Sequence, residues 1–206
     1  TAIIGYADLL RSRDLPDSQR RAAANYIFSE GKRLEKLSLK ILELLLTKKE
    51  DLTLTACQPA KLVQDTANLL SPVLDEKGIV LEQNCEPGSC LLEPSLVTSL
   101  LVNLVDNAGK SMPDGGTIRI ISAMTEDGCR ILVEDEGIGI PPESLSKITD
   151  AFYRVDKSRS RSQGGVGLGL SLCLEIAKAH RGSISFEPVT PRGTRVTVYL
   201  RGGMPA

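Results

Sequence analysis

The sequence contains very few aromatic residues and no tryptophan. Only 3% of its 206 residues are aromatic, whereas 41% are hydrophobic, so a folded core must consist mainly of Leu, Ile and Val side chains. No apolar run approaches the roughly 20 residues that a membrane-spanning helix requires. The composition therefore predicts a globular protein with one large domain or two small ones.

The balance of charge and the cysteine spacing exclude further classes of site. The formal net charge is −1, whereas a nucleic-acid-binding protein usually carries a basic excess, so we expect no nucleic-acid partner. The five cysteines contain no C-x-x-C pair, which disfavours a zinc knuckle or a redox motif. Their odd number favours free thiols over disulfides.

Residues 1–48 have the periodicity of two helices separated by a break. Pro16 cannot occupy a helix interior, and Asp17 can cap the helix that follows. Apolar residues of the second helix recur at alternating steps of four and three, with Glu30 as a polar exception. They are Ala23, Ile27, Leu34, Leu37, Ile41 and Leu44. Because two helices bury too little surface alone, this seam favours half of a dimeric four-helix bundle; the alternative is a hairpin packed on its own chain.

From residue 49 onward the pattern changes to short strands and helices. We predict strands at 52–55, 79–83, 89–92, 117–125, 129–135, 183–187 and 194–201, and helices at 59–77, 94–112 and 167–180. This order predicts helices laid on one face of a mixed sheet. The expected class is α+β, with a helical hairpin at 1–48 and a second domain at 49–206.

A polar stripe follows one face of the predicted helix 94–112. Asn103, Asn107 and Lys110 are spaced i, i+4, i+7, and most of the remaining helix surface is apolar. An Asn oxygen is a hard ligand that suits Mg²⁺, which needs few protein ligands where phosphate and water complete its shell. The stripe therefore predicts contacts with Mg²⁺ and nucleotide phosphates, although alone it fits a solvent-facing helix end equally well.

Two glycine-rich segments predict the other parts of a nucleotide pocket. Asp135 ends an apolar strand and precedes Gly137 and Gly139, which allow a sharp turn and a close approach to a ligand. A carboxylate there can accept a hydrogen bond from the exocyclic amine of adenine and would reject the carbonyl of guanine. Alone, this string also fits an acidic surface turn. The G-G-x-G-x-G run at 164–169 opens a helix whose N–H groups can bind phosphate.

The segment 154–163 carries four basic residues and one acidic residue. A basic lid over a triphosphate makes electrostatic sense; the alternatives are a disordered surface loop or a weak nucleic-acid patch, which would lack aromatic residues for base stacking. The glycine run that follows matches neither a dinucleotide fingerprint nor a P-loop, and the signatures of protein kinases are absent from the sequence.

Together, four motifs resemble the catalytic core of sensor histidine kinases. They are N-L-V-D-N-A-G-K at 103–110, D-E-G-I-G at 135–139, F-Y-R at 152–154 and G-G-V-G-L-G-L at 164–170. The order is that of the family, which belongs to the ATP-binding superfamily of type II topoisomerases, mismatch-repair ATPases and large chaperones. The resemblance implies an α/β sandwich with a mixed sheet that holds ATP and Mg²⁺ between its helices, under a lid.

The resemblance also assigns roles to individual residues. Asn107 matches the magnesium ligand and Asp135 the carboxylate that recognises adenine. The implied ATP-binding positions are Asn103, Asn107, Lys110, Asp135, Gly137, Gly139, Ile140, Tyr153, Arg154, Gly165, Val166, Gly167, Leu168, Gly169, Leu170 and Thr194. Ser111 and Glu136 depart from the residues that the family usually has. ATP-hydrolysing relatives carry a water-activating glutamate where this chain has Asn103, and an amide cannot serve as that base.

The function implied by the resemblance is that of an ATP-dependent protein-histidine kinase in a two-component system. Such a protein would form a homodimer through its hairpin and pass phosphate to an aspartate of a response-regulator receiver domain. The alternatives are a nucleotide-binding regulatory module without phosphotransfer and an ATPase of the same superfamily.

The resemblance places no catalytic residue within this chain. The family's acceptor pattern, H-E-[LF]-[RK]-x-P-L, would lie upstream of Thr1, so the fragment alone should not autophosphorylate. His180 resembles a structural position at a helix end. We expect a cytoplasmic segment, attached to a membrane only through parts absent from this chain.

Overall fold

The computed structural model of the protein describes residues 2–47, 52–155 and 167–205. The chain divides into two compact units, Thr1–Glu43 and Leu44–Ala206, which are described separately. Within the described ranges, no helix has both the length and the apolar character needed to cross a lipid bilayer.

The first unit is helical, as predicted. Helix α1 (Ala2–Ser12) is followed by α2 (Asp17–Thr47), so the predicted break at Pro16 is confirmed. The rings of Tyr6 and Tyr26 lie with their centroids 4.5 Å apart and connect the two helices. Of the predicted seam residues, Ala23 is buried, whereas Leu34 and Ile41 are exposed. The two helices therefore leave part of this apolar face uncovered.

Among the residues that the structure describes, the second unit combines a five-stranded sheet, a two-stranded sheet and three helices. The helices are α3 (Pro59–Asp75), α4 (Pro94–Ser111) and α5 (Gly169–Ala179), and a 3-10 turn spans Pro142–Ser144. The strands are β1 (Thr55–Cys57), β2 (Ile79–Cys85), β3 (Cys90–Leu92), β4 (Gly116–Thr125), β5 (Gly128–Asp135), β6 (Ser183–Pro188) and β7 (Thr194–Leu200). All five cysteines are free thiols, as predicted.

The large sheet has the strand order β2-β4-β5-β7-β6. Strands β2 and β4 are parallel, and the other three pairs are antiparallel. The predicted mixed sheet is therefore confirmed. Strand β1 pairs with β3 in a separate antiparallel sheet. The prediction of a strand at 52–55 was wrong, because the strand forms where Thr55 and Cys57 face Leu92 and Cys90.

The hydrophobic core lies between the large sheet and the helices. Alternate residues of β4, such as Ile118 and Ile120, are fully buried, as expected for a strand with one face toward a core. Leu100, Leu101 and Leu104 of α4 are buried in the same core. This packing holds α4 against the sheet, so the polar stripe of α4 has a defined position relative to the end of β5.

The opposite face of the sheet carries a row of alternating charges, here called the charge row. Glu82, Arg119, Glu134, Arg195 and Glu187 are register partners across all five strands. Arg119 Nε lies 3.2 Å from Glu82 Oε2 and its Nη1 lies 3.0 Å from Glu134 Oε1, while Arg195 Nη2 lies 2.7 Å from Glu134 Oε2. Cross-strand pairs of opposite charge each stabilise a sheet by roughly 0.2–1 kcal/mol.

The imidazole of His180 joins the end of α5 to the start of α4. It is fully buried; its Nε2 accepts a hydrogen bond from the Glu93 backbone N–H at 3.0 Å, and its Nδ1 lies 2.8 Å from the Ile176 carbonyl oxygen. Because Nε2 accepts, Nδ1 must carry the proton. A neutral ring with a hydrogen bond at each nitrogen fits the structural position that was expected at the helix end. Burial lowers its pKa, against opposing effects of the Ile176 carbonyl and Glu93.

Replacing His180 should make the stability of the second unit less dependent on pH. The unfolded chain takes up a proton near pH 6.5 while the folded chain resists it, so wild-type stability should fall as the pH decreases through that value. His180→Ala should lower the unfolding free energy by about 3 kcal/mol, because the buried Glu93 N–H loses its acceptor. His180→Gln, which keeps an acceptor, should cost less and reduce the slope between pH 7 and 5 in urea titrations. A wild-type slope unchanged by His180→Gln would contradict this account.

Candidate nucleotide-binding site

Helix α4 supplies one wall of the site, and local signals define where it starts. Pro94 occupies the first turn, where its missing N–H costs no hydrogen bond. The Glu93 carboxylate accepts a hydrogen bond from the Leu96 N–H at 2.6 Å, which satisfies one of the free donors of that turn. The helix ends at Ser111, beside the residues that follow β5.

The two asparagines of α4 occupy different environments. Asn103 is buried, and its amide nitrogen donates to the Ser99 carbonyl oxygen at 2.8 Å. Asn107 is half-buried, and its side chain makes no hydrogen bond with any other described residue. The amide of Asn107 is therefore available to a ligand.

Lys110 is paired with a residue that the sequence analysis did not select. Its Nζ lies 2.6 Å from Asp106 Oδ2, one helical turn away, and both side chains are partly exposed. Spacing of i, i+4 brings such pairs together on a helix surface, so the signal was present in the sequence. An ammonium group has three N–H donors, so this pair leaves donors of Lys110 available to a phosphate oxygen.

Asp135 is the buried carboxylate of the site. It ends β5 opposite Thr194 of β7; its Oδ1 accepts a hydrogen bond from the Gly137 N–H at 2.8 Å and lies 3.0 Å from Ser111 Oγ. Burial raises the pKa of Asp135, while hydrogen bonds from Gly137, Ser111 and the Thr194 backbone act in the opposite direction. The carboxylate is therefore a buried hydrogen-bond acceptor, and a hydrogen bond in such an environment of low polarity is stronger than one in water.

Close contacts explain the glycines around Asp135. A Cβ on Gly137 would overlap Ser111 Oγ and lie 2.7 Å from Asp135 Oδ1. Gly139 has a φ of +75° and faces the carbonyl of Gly193, whose own Cβ would overlap the Asp135 carbonyl oxygen. The sequence analysis missed Gly193, because the strand that it approaches is distant in the sequence.

The residues on the two sides of the basic segment are joined at its base. The Phe152 N–H donates to the Gly167 carbonyl oxygen at 2.8 Å, and Gly167 has a φ of +78° with the Tyr153 carbonyl too close for a Cβ. The Tyr153 hydroxyl donates to Ser144 Oγ at 3.1 Å. The predicted sites Gly165 and Val166, and residues 156–163 of the predicted lid, lie outside the described residues.

The remaining predicted residues lie at the two ends of this junction. Arg154 is half-buried, and its Nη2 is a buried donor with no partner among the described residues. Leu168 is buried and precedes Gly169 and Leu170, which form the first turn of α5. Ile140 is half-buried after the glycine turn. The structure thus brings Asp135, Gly137, Gly139 and Thr194 together, and joins Tyr153 to Gly167.

Residues 93–203 match the family model of the histidine kinase-, DNA gyrase B- and HSP90-like ATPases. The chain belongs to this ATPase family. The matched segment contains every described site residue named above and covers more than half of the chain, so the resemblance inferred from the four motifs is confirmed.

Known members of this ATPase family extend beyond the length of the chain. Sporulation kinase C of Bacillus subtilis (strain 168) is 30% identical over 203 residues, 97% of this chain and 45% of that protein. The sensor histidine kinase WalK of the same strain is 41% identical over 111 residues, 53% of this chain and 18% of that protein. The chain therefore spans less than half of each of these relatives.

A solved structure shows the same fold. Full-length ShkA in complex with AMPPNP superposes with a TM-score of 0.77 at 23% identity, over 100% of this chain and 43% of that one. The likeness supports the predicted fold class, α+β, with a helical part followed by a domain that contains a mixed sheet.

The side chains of the site fit a magnesium–nucleotide complex. The family supplies the expectation of ATP, and the structure supplies an uncommitted amide at Asn107, a buried unpaired donor at Arg154 and a buried acceptor at Asp135. The amide of Asn107 is complementary to a cation, the guanidinium of Arg154 to an anion, and the carboxylate of Asp135 to an amine. No three His, Cys, Asp or Glu side chains of the described ranges are gathered to hold a metal ion.

Proposed function

We propose that this chain is the ATP-binding and dimerisation part of a protein-histidine kinase in a two-component system. The observation that carries the proposal is the buried carboxylate of Asp135, which ends β5 and lies 3.0 Å from Ser111 Oγ at the end of α4, the helix that also presents Asn107. A nucleotide with its purine at Asp135 and its phosphates near Asn107 would lie along α4. Membership of the ATPase family supports ATP as the nucleotide.

Each wall of the site would hold a different part of the nucleotide. Asp135 accepts a hydrogen bond from the purine amine, while Gly137, Gly139 and Gly193 let the backbone approach the base. Asn107 holds Mg²⁺, which would neutralise phosphate charge. Lys110 and Arg154 contact phosphate oxygens, and the N–H groups at the start of α5, with Gly167 and Gly169, favour an anion.

Phosphotransfer fits the site better than hydrolysis. Asn103 lies one turn before Asn107, at the position where the ATP-hydrolysing relatives carry a water-activating glutamate. Its amide cannot remove a proton from water, and its nitrogen already donates to the Ser99 carbonyl oxygen. The phosphate should therefore pass to a protein side chain, which in sensor histidine kinases is a histidine.

The helical unit supports the proposed homodimer. Ile4, Phe28, Leu34 and Leu39 are large apolar side chains that remain exposed on α1 and α2. A second copy of the two helices would cover such side chains in a four-helix bundle. We infer a response-regulator receiver domain as the acceptor of the phosphate, and a cytoplasmic position, from the sensor kinases among the relatives.

Labelled ATP tests the proposed function. The full protein that contains this chain should acquire an acid-labile, base-stable label from γ-labelled ATP and lose it to a receiver domain. Release of free phosphate without labelled protein would instead indicate an ATPase. ATP binding with neither product would indicate a regulatory module, and either result would overturn the kinase proposal.

A further inference from the structure

We infer that Ser111 is a positioning residue that sets the selectivity of the site for the exocyclic amine of adenine. It acts through Asp135, not by contact with the base. The inference rests on the proposed function, because it concerns how the proposed purine acceptor is held.

Ser111 is the point where α4 meets the segment that follows β5. Its Oγ lies 3.0 Å from Asp135 Oδ1, and its carbonyl oxygen accepts a hydrogen bond from the Ile138 N–H at 3.1 Å. Gly137 packs so closely that a Cβ there would lie 2.6 Å from the Ser111 Cβ. Ser111 therefore contacts three parts of the loop: the Asp135 carboxylate, Gly137 and the Ile138 N–H.

The hydroxyl of Ser111 can donate its one proton to either of two acceptor oxygens. The Ala108 carbonyl oxygen lies 2.8 Å from Oγ, and Asp135 Oδ1 lies 3.0 Å from it. Hydrogen bonds to an ionised carboxylate are roughly twice as strong as those between neutral groups. While Asp135 is ionised, the proton should therefore point toward Oδ1.

Donation to Oδ1 fixes the plane of the carboxylate. The Gly137 N–H donates to the same oxygen at 2.8 Å, so two donors from different directions restrain rotation about the Cβ–Cγ bond. Oδ2 is then held in one direction as an acceptor. Without the Ser111 hydroxyl, only the backbone donors of Gly137 and Thr194 remain. The carboxylate is then less firmly oriented and must be ordered further when the purine binds, which weakens binding.

A pair of ligands separates this role from a purely structural one. ATP and purine riboside triphosphate differ by the amine that Asp135 would recognise. Ser111→Ala should weaken ATP about tenfold and purine riboside triphosphate less than twofold, measured by calorimetry with Mg²⁺. Asp135→Asn marks the full loss of amine recognition. Ser95→Ala removes a hydroxyl that bonds Glu93 at the opposite end of α4 and should change neither affinity.

Each outcome decides between the role and its alternatives. Equal losses for both triphosphates in Ser111→Ala would show a structural role only, and unchanged affinities would show that Asp135 is oriented without Ser111. Both ligands are measured on one preparation, so a partly unfolded fraction lowers both stoichiometries and leaves the ratio of affinities intact. A wild-type chain that binds neither triphosphate would refute the proposed function, whereas one that binds ATP with a ratio unaffected by Ser111→Ala refutes only this inference.

Discussion

Asn107→Ala should abolish magnesium-dependent ATP binding and leave the fold intact. The amide is half-buried on α4 and makes no hydrogen bond with the other described residues, so its removal breaks no hydrogen bond among them. Alanine is also the better helix former, by a few tenths of a kcal/mol. The loss of a metal ligand should weaken MgATP at least about 100-fold, or roughly 2.7 kcal/mol.

Calorimetry with and without Mg²⁺ checks this result. Wild type should lose affinity when Mg²⁺ is removed, whereas Asn107→Ala should bind ATP weakly under both conditions. Asn84→Ala is the matched control, because Asn84 is an exposed residue of the edge strand β2. If Asn107→Ala keeps the magnesium dependence of wild type, another group holds the metal.

Gly137→Ala should disrupt both the loop after β5 and nucleotide binding. A Cβ at this position would overlap Ser111 Oγ and crowd Asp135 Oδ1. The loop must then move away from α4, which breaks the Gly137–Asp135 hydrogen bond and the Ile138–Ser111 hydrogen bond. Overpacking of this kind typically costs about 1–3 kcal/mol of stability, and ATP should bind at least about 30-fold more weakly.

A second substitution tests the steric cause. Ser111→Gly removes the atoms that Gly137→Ala would strike, so the double variant should recover part of the stability lost by Gly137→Ala alone, measured by urea unfolding. Gly31→Ala is the control, since a Cβ there meets nothing within 4 Å in α2 and should be slightly stabilising. Strict additivity of the two substitutions would show that the overlap does not cause the loss.

Local patterns predicted the elements whose signals lie within a few residues. The hairpin of β4 and β5 follows from the alternation of Ile118 and Ile120 and from the turn before Gly128, and both strands form where expected. Helix α4 was predicted to within one residue because its apolar surface and Pro94 are both local signals.

Elements that depend on distant partners were predicted less well. Leu52 and Leu54 alternate as in a strand, yet β1 forms later, because its ladder is with β3, more than 30 residues away. Helix α5 begins at Gly169 and not at 167, since Gly167 turns back onto Phe152 and Tyr153. Neither pairing leaves a trace in the local sequence.

The residues of the candidate site also fall into those that a local motif predicts and those that only the fold brings to the site. Asp135 and the glycines after it are consecutive, so a short motif was sufficient to select them. Gly193 and Ser111 touch that motif from other elements, and Lys110 has a competing carboxylate on its own helix. A motif shows which residue types are present, but their neighbours depend on the packing of the chain.

The charge row lies one residue away from the proposed purine-binding pair. Glu134 faces Arg195 in the row, and the next partners along the same strands are Asp135 and Thr194. A slip of β7 by one position that brought Arg195 opposite Asp135 would replace the small neutral Thr194 with a guanidinium and break the salt bridge between Arg195 and Glu134. The salt bridges on one face of the sheet thus help to fix the strand register that places Thr194 opposite Asp135.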